Sequence, residues 1–276
     1  MAPFSDPLAI VVFDIDGVLR DVSNSYRRAL ADTVEQFTGG GYRPSPEDID
    51  ALKGEGLWNN DWEGSQELVY RYFESQGQPR QAVPLVYEDL VAFFQSRYRG
   101  TDQSCPERWN GYITQEPLLV DSTYFQQLTA EQVVWGFFSG ATRGSARYVL
   151  ERRLGLSEPV LVAMEDAPGK PDPTGLFEVV TALTEQHRLP GDLPVIYAGD
   201  TVADMQTLRY AQAQNNHRPW IGVGVLPPHV VAKDGPYRHS YQRALEQAGA
   251  QVVLEVVTAL TAETIQPLLK GIGHFC

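Results

Sequence analysis

Asp14 and Asp16 stand two residues apart, directly after the apolar run at residues 8–13, and Gly17 follows them. If the run is a strand, this spacing turns both carboxylates toward one small volume at its carboxyl end, where glycine lets the backbone turn away. Two carboxylates that close repel each other unless a cation lies between them. Strand ends of an open α/β sheet are also where ligands bind, so the pair suggests a metal-assisted site for an anionic substrate. The same residues also serve as cap and turn where a strand stops, so the pair alone decides nothing.

Three later segments bear on the choice. Ser139 and Gly140 follow a second apolar run, Lys170 lies between glycine and proline in EDAPGKPDP, and Gly199 precedes Asp200 and Asp204. A serine and a glycine at a helix start suit a phosphate oxygen, because free N–H groups and the helix dipole meet there. Asp200 and Asp204, four apart, can share one side of a helix start. Singly, each has an ordinary explanation as a cap or a solvated charge. Together, four successive strand ends deliver the residue types that phosphoryl transfer requires.

The elements that must position them are legible in the patterning. Residues 8–13 are apolar without alternation, which suits a strand buried on both faces of a parallel sheet. From Asp21 to Pro117 the pattern is almost wholly helical. Tyr26, Leu30, Val34 and Phe37 mark one helix, Ser45-Pro46-x-Asp48 opens another, and further helices end near Gly77 and Gly100. Residues 53–65, with two tryptophans and paired asparagines, read as a binding loop. After it, strands at 133–138, 160–164, 195–198 and 220–223 alternate with helices, the signature of a doubly wound parallel sheet. The expected architecture is therefore α/β, a Rossmann-like core at residues 1–20 and 118–276 with a helical cap domain inserted at 21–117.

Composition narrows the partners. With 276 residues, 43% of them hydrophobic, the chain can bury a full core. A net charge of -13 disfavours nucleic acid and anionic membrane surfaces. Cys105 and Cys276 are far apart with no metal-ligand spacing, which fits a reducing cytoplasm. The amino terminus predicts neither leader nor anchor, because its apolar run is short and no basic segment precedes it.

In order and spacing, DIDGV at 14–18, SGATR at 139–143, Lys170 in GKPDP and GDTVAD at 199–204 resemble the four motifs of the haloacid dehalogenase-like hydrolases. The likeness covers essentially the whole chain, and the helical insert resembles the cap of subfamily one, which includes phosphoglycolate phosphatases and β-phosphoglucomutases. By that resemblance Asp14 would be the nucleophile and Asp16 the acid and base. Mg²⁺ would be held by Asp14, the Asp16 carbonyl and Asp200, with Asp204 completing the shell directly or through water, and the phosphoryl group by Ser139, Gly140 and Lys170. The acid at position 16 argues against dehalogenases and phosphonatases. The implied activity is a Mg²⁺-dependent phosphatase acting on a small phosphorylated metabolite through an aspartyl-phosphate, with the chain a monomer or homodimer. The alternatives are a sugar-phosphate mutase and a non-enzymatic regulatory protein. In the cap, Asn59, Asn60, Asp61 and Trp62 are candidate substrate contacts, and Arg143 is a further one.

Overall fold

The computed structural model describes residues 4–58, 60–233 and 235–272. Strand β1 (Ala9–Phe13) is buried at every position. Ala9, Val11 and Phe13 pack on one face with Phe125, Phe137 and Ile196, while Ile10 and Val12 pack on the other with Val134, Val179 and Leu183. A strand covered on both sides has no use for polar alternation, and this is why its sequence shows none.

After β1 the chain runs through α1 (Tyr26–Phe37), α2 (Pro46–Gly54), α3 (Asp61–Ser75) and α4 (Tyr87–Tyr98). It then continues through α5 (Ser122–Ala130), β2 (Val133–Phe138), α6 (Arg143–Arg147), β3 (Leu161–Val162), α7 (Thr174–His187) and β4 (Val195–Gly199). Last come α8 (Val202–Gln214), β5 (Trp220–Val225), α9 (Pro228–Val231), α10 (Pro236–Ala248), β6 (Val252–Leu254) and α11 (Ala262–Ile272). A π-helical stretch, Tyr148–Arg153, extends α6.

All six strands are parallel in the order β3-β2-β1-β4-β5-β6. Residues from α5, α6 and α11 cover one face and residues from α7 and α8 the other, so the sheet is doubly wound. From β1 the chain builds outward to β2 and β3, then returns to the other side of β1 for β4, β5 and β6. The carboxyl ends of β1 and β4 therefore flank the point where the winding reverses, the usual ligand crevice of such sheets.

Two compact units divide the chain, residues 1–21 with 118–276, and residues 22–117. The first holds the sheet. The second is helical, with α1 packed on α3 and α4 through a core that includes Leu30, Val34, Leu68, Leu90 and Phe94. Among the described residues no helix is long and apolar enough to cross a membrane.

The expected binding loop at 53–65 is shorter in the structure. Helix α2 runs on to Gly54 and α3 already starts at Asp61, because the Asn60 side chain accepts the Trp62 N–H at 3.0 Å and caps α3.

Candidate active site

Each strand on either side of the reversal ends in a polar residue. Asp14 follows β1, and its N–H donates to the Ala198 carbonyl of β4 at 2.8 Å. Ser139 follows β2 and donates its N–H to Val162 of β3 at 3.0 Å, while its hydroxyl oxygen accepts from the Ala141 N–H at 3.1 Å. Asp200 follows β4, and Lys170 arrives on the segment after β3. Asp14, Ser139, Lys170, Asp200 and Asp204 are all buried.

Lys170 organises this cluster. Its Nζ lies 2.8 Å from Asp14 Oδ1 and 2.6 Å from Asp204 Oδ1, and it also stands over the rings of Phe138 and Tyr197 at 5.1 and 5.5 Å. Burial alone would lower the lysine's pKa, but the charges of Asp14 and Asp204 outweigh it and hold the ammonium firmly protonated. Asp204 has every oxygen engaged. Oδ1 accepts from Lys170 and from the Tyr197 hydroxyl at 2.8 Å, and Oδ2 accepts from the Thr201 N–H at 3.0 Å and hydroxyl at 2.6 Å. Burial would raise its pKa, and these donors, Lys170 foremost, bring it below the usual carboxylate range. Asp204 is thus built to hold Lys170 and to cap α8. An oxygen with two donors already on it has little left for direct contact with an ion, so of the two ways expected for Asp204 to complete a metal shell, contact through water fits these bonds better.

Asp14 behaves in the opposite way. Burial pushes its carboxyl up to about 7, Lys170 offsets only part of the rise, and Asp204 and Asp16 add to it. The nucleophile candidate is short of positive charge. Carboxylate oxygens of Asp14, Asp200 and Asp204 lie within 4.8 Å of one another, an all-oxygen, buried cluster that fits a hard divalent cation. Gly17 makes the approach of Asp200 possible. Its φ is +76°, and a Cβ there would sit 2.1 Å from Asp200 Oδ2.

Asp16 points to a residue that sequence reasoning missed. Its Oδ1 accepts from Arg20 Nε at 2.6 Å, and Arg20 is wholly buried. The D-x-x-x-R spacing was visible in the chain, but nothing in it distinguishes a buried pair from two solvated charges. Tyr197 was missed as well. It sits in the apolar run of β4, where a hydroxyl needs a partner, and Asp204 provides it.

The remaining candidates have other work. Arg143 is half-exposed, pairs with Asp166, and offers its N–H to Glu165 at 2.8 Å, which ties α6 to the segment after β3. Asn60 caps α3, and Asp61 is buried with its Oδ1 2.9 Å from Lys53. These contacts give Asn60 and Asp61 structural work in the helical unit. Trp62 is half-buried on the first turn of α3. Asn59 lies outside the described residues.

Known proteins resemble this chain in sequence and in fold. The chain is 29% identical over 282 residues to an imidazoleglycerol-phosphate dehydratase of Phytophthora nicotianae, a match that covers 97% of this chain and 56% of the relative, so the chain spans about half that protein's length. A phosphatase from Thermococcus thioreducens has a similar fold, with a TM-score of 0.58 and 23% identity over 78% of this chain and 92% of its own. So does a hydrolase from Deinococcus radiodurans with bound phosphate and sodium, at a TM-score of 0.58 and 20% identity over 98% of each chain. The sequence profile of haloacid dehalogenase-like hydrolases matches residues 8–212, three-quarters of the chain and all four strand-end motifs, and the chain belongs to that family.

Proposed function

We propose that the protein is a Mg²⁺-dependent phosphatase that hydrolyses a small phosphomonoester through an aspartyl-phosphate on Asp14. The observation that carries this reading is the Asp14–Lys170–Asp204 cluster at the point where the sheet's winding reverses. It presents one under-compensated carboxylate, Asp14, beside a firmly charged ammonium.

An Asp14 carboxylate oxygen attacks phosphorus while the bond to the leaving oxygen breaks, and Asp16 gives that oxygen its proton. Water then attacks phosphorus, Asp16 takes the water's proton, and the bond between phosphorus and Asp14 breaks, which restores both groups. Lys170 has three N–H donors, two of them turned to Asp14 and Asp204, so the third is left for a phosphoryl oxygen. Ser139 and the Gly140 N–H supply further donors for the charge that develops there. Asp14, Asp200 and the Asp16 carbonyl would hold Mg²⁺, whose charge offsets the repulsion between Asp14 and the phosphate.

The name of the Phytophthora relative suggests where to look for a substrate. That protein is named for a compact alkyl phosphate bearing an imidazole, and this chain spans 56% of it. Imidazole-bearing alkyl phosphates therefore head the substrate list, followed by hydroxylated ones. Purified protein with Mg²⁺ should release phosphate from at least one such ester, and Asp14→Asn should not. Turnover that survives excess EDTA, or that Asp14→Asn leaves intact, would sink the assignment.

A further inference from the structure

The pair made by Asp16 and Arg20 is more than a fold contact. Nε and Nη2 of Arg20 lie 2.6 and 2.5 Å from the same atom, Asp16 Oδ1. The Arg20 side chain is wholly buried, whereas that of Asp16 is 19% exposed. A buried guanidinium is costly unless it is paired, so this arrangement holds firmly where it occurs. The backbone closes round it. Gly17 N–H donates to the Arg20 carbonyl at 3.0 Å, the N–H groups of Leu19 and Arg20 both reach the Ile15 carbonyl, at 2.8 and 3.3 Å, and Leu119 N–H donates to the Leu19 carbonyl at 2.9 Å. The turn from Ile15 to Arg20 is thereby tied to the segment that re-enters the first unit, through a bridge between Arg20 and Leu118.

The chemistry of the two side chains then separates the oxygens of Asp16. A guanidinium donates only and keeps its protons at any pH a protein survives, so the oxygen that accepts its Nε–H and lies against its charge is the worse of the two places for a proton on Asp16. We infer that Arg20 is a positioning residue that clamps Oδ1 and leaves Oδ2 as the oxygen that hands a proton to the leaving group and takes one back from water. The inference rests on the acid and base role proposed above for Asp16. In the first half-reaction the proton on Oδ2 passes to the leaving oxygen as its bond to phosphorus breaks. In the second, water loses a proton to Oδ2 as its oxygen bonds phosphorus and Asp14 leaves. Arg20, wholly buried, acts through Asp16 and takes no part in the bond changes at phosphorus.

A leaving-group comparison tests this. Arg20→Met and Arg20→Lys are assayed on an alkyl phosphate, whose leaving oxygen needs a proton, and on nitrophenyl phosphate, whose first-turnover release of nitrophenolate needs none. Arg20→Met should lower kcat/KM for the alkyl ester by about 10- to 100-fold, part of what a placed acid supplies, and leave the nitrophenolate burst within about threefold. Arg20→Lys should regain some of the loss on the alkyl ester, because an ammonium can clamp one oxygen less rigidly. In an Asp16→Ala background, adding Arg20→Met should change neither ester by more than about threefold, since Arg20 acts only through Asp16. That double variant removes both charges of the pair, so it keeps the comparison available if Arg20→Met alone folds poorly. Equal losses on the two esters, or the same loss with Asp16 absent, would make Arg20 a structural residue and overturn the inference. So would failure of both single Arg20 variants to fold. A wild-type protein inactive on both esters would instead overturn the phosphatase reading itself, an outcome that needs no Arg20 variant to detect.

Discussion

Replacing Gly17 with alanine puts the placement of Asp200 to a quantitative test. A Cβ at position 17 would stand 2.1 Å from Asp200 Oδ2 and 2.7 Å from its Cγ, at a backbone φ of +76°. To restore ordinary contact the carboxylate has to retreat by roughly 1 Å, since packed interiors do not absorb such an overlap. A displacement of that size at a reacting centre costs on the order of 100-fold in rate. Alanine in a left-handed conformation costs a further 1–2 kcal/mol or so of stability. Gly40→Ala supplies the control, because Gly40 has a similar φ of +81° and nothing within 4 Å of its would-be Cβ. The two variants should lose comparable stability in urea unfolding. Only Gly17→Ala should lose about 100-fold in kcat/KM for nitrophenyl phosphate and need about tenfold more Mg²⁺ for half-activation. If folded Gly17→Ala kept both its rate and its Mg²⁺ midpoint, Asp200 would not be where catalysis needs it.

Other changes should separate the remaining roles. Tyr197→Phe removes one donor from Asp204 without changing shape, so kcat should fall by about 3- to 30-fold while the Mg²⁺ midpoint stays nearly constant, as expected if Asp204 holds Lys170 and does not touch the ion directly. A midpoint that moved as much as kcat would put Asp204 in direct contact with the metal. The carboxyl of Asp14 is pushed up to about 7 from an ordinary 3.8, so the folded, metal-free protein binds a proton there that the unfolded chain releases. That contribution to stability is full below about 4 and is lost as pH rises toward 7. EDTA-treated wild type should therefore lose stability relative to Asp14→Asn across that window, and Mg²⁺ should bind more tightly as pH climbs through it, because the ion displaces the proton. An unfolding difference between the two proteins that is flat from pH 4 to 7 would contradict the shift. In the helical unit, Asn60→Ala should cost about 1 kcal/mol by removing the cap of α3 and leave nitrophenyl phosphate turnover unchanged. A rate loss with stability intact would show that Asn60 does more than cap.

The sheet was legible because parallel strands bury both faces, and the unbroken apolar runs at β1, β2, β4 and β5 say so directly. The motif residues stood out because each follows such a run. What one dimension hid was the division of labour among the carboxylates. Asp200 and Asp204 look equivalent in GDTVAD, yet Asp204 is filled by donors from Thr201, Tyr197 and Lys170, and two of these depend on chain segments that meet only in the folded sheet. The loop at 53–65 is shorter than its composition suggests for a related reason. Its glycines and asparagines favour a loop by composition, but Asn60 is used as a cap, which starts a helix instead of prolonging the loop. Arg20 was four residues from Asp16 throughout, and only its complete burial shows what the spacing means.

The most direct test of the account is chemical capture of the intermediate on Asp14. Wild-type protein mixed with Mg²⁺ and a reactive aryl phosphate is quenched in acid within the first turnover, digested, and its peptides are analysed by mass spectrometry. The account predicts an acid-stable phosphoryl group on the peptide containing Asp14, formed only with Mg²⁺, absent from Asp14→Asn, and, when Asp16 is present, gone from samples quenched after the aryl phosphate is exhausted. Phosphate release at a full rate with no phosphoryl group on that peptide, or with the group on another residue, would contradict it.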